Sequence, residues 1–81
     1  MQKLSVKAAA LAAGFTWAIY IVFCGWAAAL GWGGELVVAF SSYYIGYAPT
    51  FLGGIIGGFW AFVDGLIGGL IFSLIYNRFA K

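Results

Sequence analysis

An all-α integral membrane protein, folded as a two-helix transmembrane hairpin with a hydrophobic interfacial connection, is what three observations in this sequence predict. The 81 residues are 65% hydrophobic and 7% charged, far outside the range of soluble globular chains. Residues 8–34 carry no charge and residues 50–77 carry only Asp64, and each stretch exceeds the ~20 residues that cross a hydrocarbon core. Finally, Gly53, Gly57, Ala61, Gly65, Gly69 and Ser73 set a small residue at every fourth position of the second stretch. In water each interior Gly costs roughly 1 kcal/mol against Ala, whereas in lipid the bare backbone lets neighbouring helices approach closely. The chain is read as one membrane domain over residues 1–81.

The first span is predicted over residues 4–31. Lys3 and Lys7 precede its apolar body, and Gly31, Gly33 and Gly34 supply the stop. Lys3, Lys7 and the run Ala27, Ala28, Ala29 mimic a secretory leader, but the length of the apolar run favours an uncleaved spanning helix. The lone cysteine, Cys24, reads as a small apolar packing residue.

The connection, residues 32–49, holds Glu35 as its one charge. Its aromatic residues Trp32, Tyr43, Tyr44 and Tyr47 are expected at headgroup depth, as in aromatic belts. Two forms fit: a short helix lying on the membrane, or an elbow buried under a partner. A surface for contact with a lipid, quinone or pigment is the alternative reading of the same aromatic residues.

The second span is predicted over residues 50–79, beginning beside Pro49 and Thr50. At ~3.6 residues per turn a four-residue step advances about 40° past a full turn, so the small ridge rotates by roughly 200° over its length. A single straight neighbour cannot follow it. At least two packing partners are expected, one of them the first span, with Gly54, Gly58 and Gly68 widening the bare surface. The plainer alternative is that the ridge only closes the chain's own hairpin.

Asp64 lies about halfway along the second span, where a carboxylate costs roughly 2.5 to 3.5 kcal/mol on insertion scales. Counting ~1.5 Å per residue from each end puts it level with Ile19, so Thr16 and Tyr20, one turn apart on the first span, are the expected buried polar partners. Three roles fit: a hydrogen-bonded pin between helices, a contact with a cation on another subunit, or a proton or ion site.

Chemistry is sparse. The chain has no histidine and two isolated carboxylates, so no acid-base pair, activated nucleophile or metal-ligand set is assembled from it. No catalytic, metal or cofactor-binding residues are expected in this chain alone. The positive charges Lys3, Lys7, Arg78 and Lys81 sit at the two ends, which points to lipid headgroups and to cytoplasmic termini, not to nucleic acid.

The stretches Gly46-Tyr47-Ala48-Pro49-Thr50, Gly57-Gly58-Phe59-Trp60-Ala61-Phe62-Val63-Asp64-Gly65 and Ile75-Tyr76-Asn77-Arg78-Phe79 resemble a family of small two-span bacterial membrane proteins commonly labelled bacteriophage holin. The resemblance implies a multi-pass protein of the bacterial inner membrane with cytoplasmic ends and a tendency to oligomerise into lesions. Three functions are expected, in this order: a non-catalytic accessory subunit packed into a larger membrane assembly, which the elaborated connection and buried acid suit; a holin-like oligomeric pore or lesion former, which the resemblance implies; and a proton- or ion-carrying subunit that uses Asp64. The expected partners are lipids and other transmembrane helices, in a hetero-complex or a homo-oligomer.

Overall fold

The computed structural model describes residues 2–80; Met1 and Lys81, and with the latter one of the basic charges expected at the ends, lie outside the described residues. Three helices and no strand occur among them: α1 (Val6–Ala29), α2 (Gly34–Ser41) and α3 (Phe51–Phe79). The two predicted spans are α1 and α3, each trimmed by at most two residues at an end.

Local chemistry sets the boundaries. Ser5 caps α1 by accepting from the Ala8 amide at 3.2 Å, and Thr50 caps α3 by accepting from the Gly53 amide at 2.8 Å. Helix α1 ends as the glycines demand. Gly31 takes a φ of 104°, its amide donates to Ala28 and that of Trp32 to Ala27, which satisfies two carbonyls that the last turn leaves open. Gly33, with a φ of 75°, then starts α2.

Helices α1 and α3 pack against each other along their length, giving a body 47 Å long and 18 × 17 Å in section. Small residues make this possible. A Cβ at Gly65 would lie 2.7 Å from the Ala13 carbonyl oxygen, and one at Gly69 would lie 2.8 Å from the Ala10 Cα. The hairpin is clamped at both ends. Asn77 accepts from the Leu4 amide at 2.7 Å and donates to the Leu4 carbonyl at 2.9 Å, while Trp26 stacks on Phe51 and donates to its carbonyl at 3.0 Å.

Both long helices are apolar enough to cross a membrane, and only 22% of each apolar window is buried within the chain. The core helix of a soluble protein would be mostly covered. Here Phe15, Ile19, Phe59 and Phe79 stand exposed, an arrangement that lipid tolerates and water does not.

Of the two forms expected, a helix lying on the membrane or an elbow under a partner, the connection is nearer the elbow, packed on the chain's own helices. Helix α2 folds back along α1, so that Val37 packs into the core with Ile21 and Ala28, and Phe40 meets Trp17 ring to ring at 6.0 Å. Tyr44 forms the bottom of this elbow. The chain then climbs again through Tyr47 to Ala48, whose carbonyl and Cβ lie against Gly53. Since Trp17 is twelve residues before the end of α1, the side chains of the elbow reach a level about 18 Å along that helix.

Candidate functional site

The site of interest is the polar cluster where the bottom of the elbow meets the middle of both spans. Trp17 of α1 donates its indole N–H to the Tyr44 hydroxyl at 2.9 Å, and Tyr44 donates to Asp64 Oδ2 of α3 at 2.5 Å. Tryptophan is a donor only. Its N–H occupies one lone pair of the Tyr44 oxygen, and the hydroxyl proton is directed to Asp64. Tyr44 is 1% exposed and Asp64 half-buried. Among the described residues, no buried side-chain polar atom lacks a partner.

This corrects the expected partners of Asp64. Thr16 is exposed, and Tyr20 is 48% exposed and stacks on the Trp17 ring. Counting along the spans located the right level but compared only two elements, whereas a third supplies the donor. Two of the four connection aromatics, Tyr44 and Tyr47, are buried inside the hairpin and do not face outward. Tyr47 is 3% exposed and donates to the Ile21 carbonyl at 2.7 Å, deep in the hairpin. Tyr43 and Trp32 remain outward-facing, the latter edge-on to Phe23.

The glycine ridge is where the expectation of two packing partners meets its answer. Gly53, Gly57, Ala61, Gly69 and Ser73 are buried and Gly65 is partly so. The inner part, Gly65 and Gly69, receives α1. The outer part receives the elbow: Ala48 at Gly53, and the Tyr47 ring in the space left by Gly57, beside Gly25. The 200° rotation is thus accommodated within one chain. Gly68, by contrast, faces open space, at the edge of a shallow groove of about 440 Å³ lined by Ala12, Ala13, Thr16, Trp17, Gly65 and Gly69.

Burial pushes the Tyr44 hydroxyl up to about 12, with the hydrogen bond to Asp64 adding to the effect. Tyr47 is likewise pushed up to about 12, first by burial and then by the neighbouring Cys24 and Tyr20. Both are neutral donors across the physiological range. Two further ties escaped the sequence reading: Trp60 donates to the Ile45 carbonyl at 2.8 Å, holding the ascending arm of the elbow, and Asn77 clamps the ends. No group of three or more His, Cys, Asp or Glu that would hold a metal occurs among the described residues.

These features define a class: an all-helical hairpin of two membrane-length helices with a connection that folds back to mid-span. No family model, curated protein or solved structure matches the chain.

Proposed function

We propose that this chain is a non-catalytic transmembrane subunit of the bacterial inner membrane that packs laterally into a larger membrane assembly. The observation that carries the reading is the closure of its polar interior: Trp17, Tyr44 and Asp64 bond one another at mid-span, while large apolar side chains make up most of the outer face of both long helices. A unit built this way offers neighbouring helices a rigid greasy surface and spends its one mid-span acid on its own fold. On this reading both termini lie in the cytoplasm, since Lys3, Lys7 and Arg78 resist translocation and Glu35 contributes little.

The test is recovery of the native assembly in mild detergent with identification of co-migrating chains. Stoichiometric foreign membrane subunits support the reading, and recovery of this chain alone overturns it. Labelling of a cysteine placed at position 2 by an impermeant reagent from outside intact cells would overturn the topology.

A holin-like lesion former is the second reading, favoured by the open groove at Gly68 and Thr16, which presents small residues of the kind that neighbouring membrane helices pack on. Release of a trapped dye from vesicles by the purified chain would bring it forward.

A further inference from the structure

We propose that the trough between α1 and α3, on the side free of the elbow, holds one phospholipid acyl chain drawn from the leaflet in which Trp26 lies. The inference needs only that the two long helices span the bilayer, and it holds whichever subunits the chain joins.

The trough, about 780 Å³, is lined by residues of α1 between Phe15 and Trp26 and of α3 between Ile55 and Phe62, with none from the elbow. Its floor is low because small residues form it. Val22 packs into the space left by Gly58, and the Ala18 carbonyl lies 3.8 Å from where a Cβ at Gly58 would stand. Its rims are high: Ile19, Phe23 and Phe59 are 68%, 54% and 73% exposed. At the inner end the rings of Phe15 and Phe62 meet edge-on at 4.9 Å across the two helices and close the trough. At the outer end Trp26 stacks on Phe51 and gives its N–H to the Phe51 carbonyl. The indole therefore has no donor to spare, and the lining is almost wholly apolar.

Length selects the occupant. The eleven residues from Phe15 to Trp26 rise about 16 Å, close to half of the ~30 Å hydrocarbon core and so the depth of one leaflet. A partner helix crosses the whole core and packs best on small residues, whereas this trough stops at mid-depth behind two phenylalanine rings and is rimmed by bulky side chains. A quinone or pigment brings polar groups, for which the lining has no donor. Trp26 marks the headgroup end, the depth at which tryptophan is enriched. Lipid tails are as apolar as leucine, so the acyl chain is held by van der Waals contact with a preformed surface. It exchanges with bulk lipid, and its presence shows as enrichment.

Photolabelling in vesicles tests this, using a phosphatidylcholine with a diazirine midway along one acyl chain and mapping the products by peptide mass spectrometry. In the native chain, labelling at the half-buried Ala18 and Val22 should exceed severalfold that at Tyr20 and Trp60, which lie at the same depth outside the trough and are 48% and 44% exposed. Ala18→Phe, which fills the floor, should bring Val22 down to the level of Tyr20. Val63→Phe, outside the trough, should leave the pattern unchanged, with helicity by circular dichroism retained in both variants. Even labelling of the exposed apolar residues in the native chain would mean bulk lipid only, and it overturns the proposal whether or not Ala18→Phe folds. Enrichment in vesicles that is lost in the native membrane would put a protein neighbour in the trough, and overturns it too. Labelling absent from both helices would overturn the spanning reading and the proposal with it.

Discussion

The Tyr44 hydroxyl reaches Asp64 across 20 residues of sequence at 2.5 Å, joining the bottom of the elbow to the middle of α3. The contact explains how an acid is retained at mid-span without a charged partner nearby in sequence. A carboxyl group that would be costly against lipid instead accepts from a phenol whose own oxygen is held by Trp17. One side chain thus settles both the register of the elbow and the placement of the acid.

Removing either partner should cost a modest and coupled amount. Interhelical hydrogen bonds in membranes average about 0.6 kcal/mol and reach about 1.7, so Tyr44→Phe and Asp64→Leu should each destabilise the folded hairpin by about 1 kcal/mol. The double variant should cost less than the sum, since the shared bond is lost once. Asp64→Asn keeps an acceptor and should lie close to wild type. Reversible unfolding in mixed micelles provides the measurement. Strict additivity would deny the bond any role, and loss of proton flux in Asp64→Asn with the fold intact would make the acid a transport site.

Alkaline pH should loosen the elbow. The folded Tyr44 and Tyr47 hydroxyls are raised to about 12 from the ordinary value of about 10. The folded state therefore holds these protons more tightly than the unfolded state does. Their contribution is complete below pH ~10 and falls away as pH rises from there through about 12. Energy transfer between dyes on the elbow and on the end of α3 should change across that window as the elbow loosens, and Tyr44→Phe should flatten part of the change. An onset below pH 9 would indicate a different titrating group.

The long elements were legible because lipid imposes simple rules: charge-free length gives the spans, and four-residue glycine spacing gives a close-packed ridge. The elbow was not. The run from Glu35 to Phe40 has the same composition whether it lies at an interface or folds back against α1, and nothing local distinguishes the two. What decides is the fit of Tyr47 at Gly57 and of Tyr44 at Asp64, both tertiary contacts. Asn77 escaped for a related reason, since its value lies in reaching a backbone 73 residues away.

The Asn77 clamp should protect the ends of the hairpin selectively. Asn77→Ala removes both bonds to Leu4, one of them from the Leu4 amide, while leaving α3 with a good helix former. Hydrogen exchange should quicken at Leu4 and over the first turn of α1, where fraying starts, with residues near Trp17 and Ile21 unchanged. Acceleration at mid-span of similar size would mean that the clamp supports the whole fold.

Two glycines one helical turn apart should respond in opposite senses to the same methyl group. At Gly65 a Cβ would meet the Ala13 carbonyl oxygen at 2.7 Å and the Gly14 Cα at 2.9 Å, both backbone atoms that cannot turn aside. At Gly68 it would meet nothing within 4 Å. Gly65→Ala should therefore push α1 and α3 apart and destabilise the hairpin despite the better helix propensity of alanine. Gly68→Ala should be neutral or stabilising within the roughly 1 kcal/mol that separates the two residues in a helix. Energy transfer between dyes at the start of α1 and the end of α3, followed through denaturation in micelles, measures both. A loss at Gly68→Ala in a membrane containing partner chains, but not in the isolated chain, would show that the open seam is occupied in the assembly.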